Sequence, residues 1–245
     1  MQAGTFYAVS VGPGGSDKLT LEAIQVLERC PVICFPETDA HAEQKHHIAY
    51  DAVNGAVSLS EKKLLFFPIA MTRNREKILE EYHRIAMSCA EVLHEGKDVA
   101  FCAIGDVSLY ATAWHIAALV EDLGFTVSFV SGVNSFSAAA CAAGLSLVDR
   151  DDSLTIIPGD AFYSKGKLEA ALRAEGTKVL MKHARHLSEI LLLIDRLGLL
   201  GDSVLVQKAS MADQRIIRGQ DLRSLGDDVM ADAYLSLLIV QGKGK

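Results

Sequence analysis

The residues in this chain that could do chemistry fall in four places. The first is Ile104-Gly105-Asp106, where five apolar or small residues (Val99 to Ala103) run into a glycine, an aspartate and a polar turn ending at Tyr110. A short uninterrupted apolar run reads as a strand buried on both faces. A glycine straight after it lets backbone approach a ligand closely, and a parallel sheet collects its ligands at that strand end. Read locally, Asp106 is equally a helix N-cap. The second is the glycine loop Gly12-Pro13-Gly14-Gly15, between a strand pattern (Thr5 to Val11) and a helix pattern (Thr20 to Cys30). That geometry can cradle polar ligands, but the loop has neither the GxGxxG nor the GK[ST] ending of the nucleotide-binding loops. The third is His41, His46 and His47; no cysteine or carboxylate completes a ligand set, so they read as a solvated loop and no metal site is expected. The fourth is the set Cys30, Cys34, Cys89, Cys102 and Cys141, odd in number, without a CxxC pair and set in apolar runs, which reads as reduced core thiols.

The elements that must position these residues alternate. Strand patterns at Thr5–Val11, Pro31–Phe35, Leu64–Phe67, Val99–Ala103 and Phe125–Val130 are separated by helix patterns at Thr20–Cys30, Arg73–His94 and Ala111–Leu123. The long Arg73–His94 pattern sets Ile78, Tyr82, Ile85, Met87 and Val92 roughly on one side, and the single tryptophan, Trp114, reads as core. Alternation of this kind predicts a parallel five-stranded sheet with helices on both faces. Beyond it, strand patterns recur at Leu154–Ile157, Lys178–Met181, Val204–Lys208, Arg215–Arg218 and Ala233–Val240. Helices are expected at Phe136–Ala143, Lys167–Arg173 and Leu187–Leu197. The short polar loop between Val204–Lys208 and Arg215–Arg218 reads as a hairpin, so the second sheet is expected to be mixed. The fold class is therefore α/β, two αβα domains of residues 1–131 and 132–245.

The bulk properties exclude some classes. The 245 residues carry 31 acids against 24 bases, a net charge of −7, with no block of clustered Lys or Arg. A nucleic-acid partner is disfavoured on that balance. No apolar run is long enough to span a bilayer, so no membrane partner is expected. The opening MQAGTFYAVSVGPGG lacks the basic-then-apolar pattern of a secretory leader, and the expectation is a cytoplasmic protein.

Taken together, Gly12-Pro13-Gly14, Gly105-Asp106-x-x-x-Tyr110, Gly132-Val133-Asn134-Ser135-Phe136 and Gln214-Arg215 resemble the tetrapyrrole methylases, over residues 4 to about 240. Phe67-Pro68-Ile69, Gly96 to Phe101, Val107 to Thr112 and Met181-Lys182 are most similar to the members that methylate C-20 of precorrin-2 or cobalt-factor II. The resemblance implies S-adenosylmethionine as methyl donor, no protein-bound metal, a tetrapyrrole substrate, a ligand cleft between the domains and a homodimer. It implies donor contacts at Pro13, Ile104, Gly105, Asp106, Leu109, Asn134, Ser135, Met181 and Ala209. Substrate contacts are expected at Pro36, Glu37 and Tyr110, and weaker ones for substrate carboxylates at Lys45, Arg73, Arg75 and Lys182. It names no catalytic residue, and in-line positioning is most of what methyl transfer from a sulfonium requires. Methylation at C-11 or C-17, an rRNA- or protein-modifying relative and a non-catalytic donor sensor are the alternatives.

The chain departs from the family pattern at three points. Gly15 stands where the first loop usually has aspartate, Val107 replaces the proline of a GDP turn, and Ser131 replaces a proline before Gly132. The two proline losses are expected to loosen the turns without removing a polar contact.

Overall fold

The computed structural model describes residues 2–38, 48–69, 74–231 and 233–242. The chain divides into two compact units, Met1–Asn134 and Ser135–Lys245.

The first unit is built from β1 (Thr5–Ser10), α1 (Leu21–Arg29), β2 (Val32–Thr38), α2 (Ile48–Asn54), β3 (Lys63–Ile69), α3 (Arg75–His94), β4 (Val99–Ala103), α4 (Ala113–Asp122) and β5 (Thr126–Val130). All pairings are parallel, in the order β3-β2-β4-β1-β5. β4 is buried at every position, as its apolar run requires of a central strand covered on both faces. Ala23, Val26 and Leu27 of α1 and Ala49 and Val53 of α2 pack with Val9, Ile33, Ala100 and Cys102 on one face. α3 and α4 pack with Phe6, Cys34 and Phe101 on the other. The helix after β1 and the helix after β4 thus cover opposite faces of neighbouring strands. That makes the β1/β4 carboxyl end a topological switch point, where open α/β sheets bind ligands.

Local signals start these helices where the sequence indicates. Thr20 caps α1, accepting the Ala23 N–H at 3.2 Å, and Asn74 caps α3, accepting from Glu76 and Lys77. β2 runs three residues beyond the expected Phe35 and includes Pro36. It pairs with β4 only through Cys34 and with β3 to Thr38, so the proline lies where β4 no longer flanks the strand. Two core expectations fail. Trp114 is 46 % exposed and stacks on Phe129 of edge strand β5, centroids 4.0 Å apart, and Met87 is 52 % exposed on the outer side of α3. Helix α2, with Ala49, Ala52 and Val53 buried, has no counterpart in the sequence reading.

The second unit comprises α5 (Ser135–Ala142), β6 (Leu154–Pro158), α6 (Gly159–Ser164), α7 (Leu168–Arg173), β7 (Thr177–Met181), α8 (Leu187–Arg196), β8 (Ser203–Gln207), β9 (Arg215–Arg218), α9 (Asp227–Ala231) and β10 (Ser236–Val240). Its sheet runs β6-β7-β10-β8-β9 and is mixed: β6 and β7 are parallel, β10 is antiparallel to β7 and β8, and β8–β9 is the expected hairpin. α8 buries Leu187, Ile190, Leu191, Leu193 and Ile194 against Leu180, Leu205 and Leu238, at roughly 1.5–3 kcal/mol per fully buried side chain. On the other face the small residues Ala139, Ala140 and Ala143, in and just after α5, approach Val179, Val204, Val206 and Ile239 closely. The expected strand over Ala233–Val240 begins at Ser236. Ala233–Leu235 is a 3₁₀ turn, and the Ser236 hydroxyl bonds back to the Ala233 carbonyl. Helices α6 and α9, of six and five residues, are too short to show a helical period in the sequence.

Candidate functional site

The carboxyl edge of the first sheet is built almost wholly from backbone. Val11 N–H donates to Ala103 O at 2.9 Å and Gly105 N–H to Gly12 O at 2.6 Å, so the segments leaving β1 and β4 are zipped together one turn beyond the strands. Gly105 has φ +82, a left-handed conformation that a side chain strains, and a Cβ built on it would meet nothing within 4 Å. The backbone there faces open space, as a ligand cradle requires. Ile104 beside it is 40 % exposed.

Asp106 is only 7 % exposed, and its carboxylate is turned inward. One oxygen accepts the Gly132 N–H at 2.7 Å, and the other accepts the Ser108 N–H at 2.8 Å and the Ser108 hydroxyl. Burial alone would push this carboxyl up. The bonds from Ser108 and Gly132 outweigh it and hold the group below the ordinary carboxylate range. Asp106 caps a turn closed by Leu109 N–H on Asp106 O at 3.2 Å and lies six residues before Thr112, the N-cap of α4. Its side chain therefore staples the β4 loop to the β5 loop, and what the site offers a ligand at this position is backbone and shape.

A second tie lies beneath it. The buried Ser10 hydroxyl donates to Val130 O at 2.6 Å and accepts the Val107 N–H at 2.9 Å. Valine in place of proline at 107 thus removes no polar contact and adds one, through its own N–H. Neither Ser10 nor Ser108 belongs to the site residues that the sequence points to. Ser108 carries a local signal, lying two residues after an aspartate as in an Asx turn; Ser10, whose partners lie 97 and 120 residues away, carries none.

The other expected donor and substrate residues distribute as follows. Pro13 is buried just after β1, Leu109 is half-buried in the turn, and Asn134 is half-buried at the end of the first unit. Pro36 and Glu37 are half-buried near the carboxyl end of β2. Tyr110 is 44 % exposed with φ 55, a strained value for an aromatic residue. Arg75 is exposed in the first turn of α3. His41, His46, His47, Lys45 and Arg73 lie outside the described residues.

In the second unit, Ser135 opens α5, Met181 ends β7 half-buried, and Ala209 is buried two residues past β8. The residues around the last two are strained: Lys182, Lys208 and Ser210 all have φ between 49 and 65. Such conformations persist only where the surroundings enforce them, and they cluster at functional sites. Lys208 N–H reaches Leu235 O at 2.8 Å, Ser210 N–H reaches Gln214 Oε1 at 2.8 Å, and the Lys208 ammonium pairs with Asp213 at 2.6 Å. Lys182 O accepts the Asp160 N–H, while the Asp160 carboxylate caps the backbone of Arg185 and His186. Beneath them His183 is buried and held neutral. Desolvation lowers it to about 4, against the opposing Leu180 carbonyl bond and the Asp160 charge.

The family model for Tetrapyrrole (Corrin/Porphyrin) Methylases matches residues 5–221. A probable cobalt-precorrin-2 C(20)-methyltransferase of Methanocaldococcus jannaschii is 32% identical over 238 residues, covering 96% of this chain and 95% of its own. Among solved structures, a cobalt precorrin-4 methyltransferase shares the fold with a TM-score of 0.73 at 21% identity, covering 97% of this chain and 94% of its own. The uroporphyrin-III C-methyl transferase of Thermus thermophilus, complexed with S-adenyl homocysteine, shares it with a TM-score of 0.65 at 20% identity, covering 97% of each chain. The glycine-lined edge, the two α/β sheets and these matches lead to one conclusion: this chain belongs to the tetrapyrrole (corrin/porphyrin) methylases.

Proposed function

We propose that the chain transfers a methyl group from S-adenosylmethionine to C-20 of cobalt-precorrin-2 or its metal-free counterpart, a step of cobalamin biosynthesis. The observation that carries this reading is the similarity along nearly the whole chain to the M. jannaschii C(20)-methyltransferase. The donor reading is supported by the open backbone at Gly105 and by the S-adenyl homocysteine complex of the T. thermophilus neighbour.

On this reading the donor is held by Pro13, Ile104, Gly105, Leu109 and Asn134 of the first unit. Asp106 serves by fixing the loops. S-adenosylmethionine supplies an electrophilic methyl on a sulfonium. The chain's contribution is to bind donor and acceptor in line and to exclude water. A half-exposed Ile104 and a half-buried Leu109 suit the apolar surroundings that keep water from a sulfonium. Pro36, Glu37 and Tyr110 are assigned to the tetrapyrrole. The same reading includes a homodimer and a cytoplasmic location, which sedimentation velocity and cell fractionation test.

The test is calorimetry with S-adenosylhomocysteine, then parallel turnover under anaerobic conditions with cobalt-precorrin-2 and precorrin-2. Donor-product binding and methylation of one of the two substrates are expected. Binding without methylation of either would overturn the substrate assignment, and no binding would overturn the donor site.

A further inference from the structure

We propose that Ser10 is a positioning residue for the donor site, its hydroxyl replacing with hydrogen bonds the rigidity that a proline at position 107 would give. The proposal rests on the reading that the carboxyl edge of the first sheet holds S-adenosylmethionine.

Ser10 is the last residue of β1 and is completely buried. Its hydroxyl donates to the carbonyl of Val130, the last residue of β5, at 2.6 Å and accepts the N–H of Val107, in the turn after β4, at 2.9 Å. One side chain therefore joins the ends of three neighbouring strands, β4, β1 and β5. Val107 occupies the second position of the Asp106–Leu109 turn, closed by the Leu109 N–H on Asp106 O. That position favours proline, whose fixed φ suits it and which has no N–H to satisfy. Valine brings an N–H into a place where the residue is 2 % exposed, and a buried unpaired donor is costly. Ser10 meets that need and passes it on to Val130 O, so neither backbone group is left alone.

The packing is equally closed. A Cβ on Gly132 would lie 2.3 Å from Ser10 Cβ and 2.8 Å from Gly105 O, so the serine sits directly under the two loops that carry the candidate donor contacts. Alanine at position 10 would take away the acceptor of the buried Val107 N–H and one donor to the Val130 carbonyl. The turn holding Gly105 and Leu109 would then have to shift to find other partners. Proline at 107 removes the N–H that created the need.

The test is S-adenosylhomocysteine affinity by calorimetry, with melting temperature measured alongside, for the wild type, Ser10→Ala, Val107→Pro and the double variant. Losing a paired buried bond is expected to raise Kd about tenfold in Ser10→Ala. Val107→Pro alone is expected to bind at least about threefold more weakly than the wild type, because its ring Cδ replaces an N–H bonded at 2.9 Å and runs into the Ser10 hydroxyl. Adding it to Ser10→Ala, which removes that hydroxyl, is expected to bring Kd back to within about threefold of the wild type. A Ser10→Ala affinity equal to the wild type overturns the proposal, as does a double variant that binds as weakly as Ser10→Ala. If Ser10→Ala does not fold, a double variant that folds and binds supports the proposal, and one that also fails to fold overturns it. A wild type that does not bind S-adenosylhomocysteine refutes the donor-site reading itself, and the proposal with it.

Discussion

Replacing Asp106 by alanine deletes the acceptor of three hydrogen bonds, two from Ser108 within the loop after β4 and one from Gly132 that ties this loop to the loop after β5. Their costs differ with exposure. Ser108 is exposed, so its N–H and hydroxyl turn to water for about 0.5–1 kcal/mol together. The Gly132 N–H is half-buried and loses a charge-assisted bond of 2.7 Å, worth about 1.5–3 kcal/mol. The sum is about 2–4 kcal/mol, a fall in melting temperature of about 4–8 °C for a chain of this size. Asp106→Asn keeps the shape but turns one acceptor oxygen into a donor facing an N–H, and is expected to fall between alanine and the wild type. The sign of the pH effect follows from the depressed carboxyl. Its contribution is full above the ordinary carboxylate range and is lost as pH falls through the folded-state value, so the wild-type advantage over Asp106→Asn shrinks below about pH 4. Thermal unfolding followed by circular dichroism at pH 7 and at pH 3 reads both effects. An alanine variant melting within about 1 °C of the wild type at pH 7 would refute the reasoning.

Three further outcomes are expected. Gly132→Ala places a methyl 2.3 Å from Ser10 Cβ and should cost about 1–3 kcal/mol or more in a melt; a fully stable variant would contradict the loop geometry. His183, neutral and held at about 4 in the fold against about 6.5 unfolded, contributes stability that is full above about pH 6.5 and lost as pH falls toward about 4; His183→Gln should flatten that slope in denaturant titrations. Trp114 is the only tryptophan and lies half-exposed on Phe129, so Phe129→Ala should red-shift its fluorescence while costing about 0.5–1.5 kcal/mol; an unchanged spectrum would show that the stack is not formed.

What could be read from the sequence follows from how local each cause is. The buried run Val99–Ala103, the Thr20 cap and the helical spacing of α8 state their structures within a few residues, and both sheets emerge where such patterns alternate. The hairpin β8–β9 is legible for the same reason. Trp114 reads as core because it is an apolar residue in an apolar stretch, while its actual partner is a ring on an edge strand. Ala233–Leu235 continues an apolar run that reads as strand, and what turns it is a single hydroxyl bonding backward from Ser236.

The candidate site was legible as motifs and opaque as mechanics. Gly105 and Gly132 stand out because a turn and a close approach demand them, whereas the inward rotation of the Asp106 carboxylate depends on a backbone N–H 26 residues away. The Ser10–Val107 bond joins positions 97 apart, and nothing near either residue announces it.

The most direct test of the central claim is product analysis after anaerobic incubation with methyl-13C S-adenosylmethionine and cobalt-precorrin-2, with precorrin-2 in parallel. The account predicts one labelled methyl on one of these substrates, located at C-20 by NMR. A labelled methyl at another ring carbon, or no transfer to either substrate by a chain that binds S-adenosylhomocysteine, would contradict it.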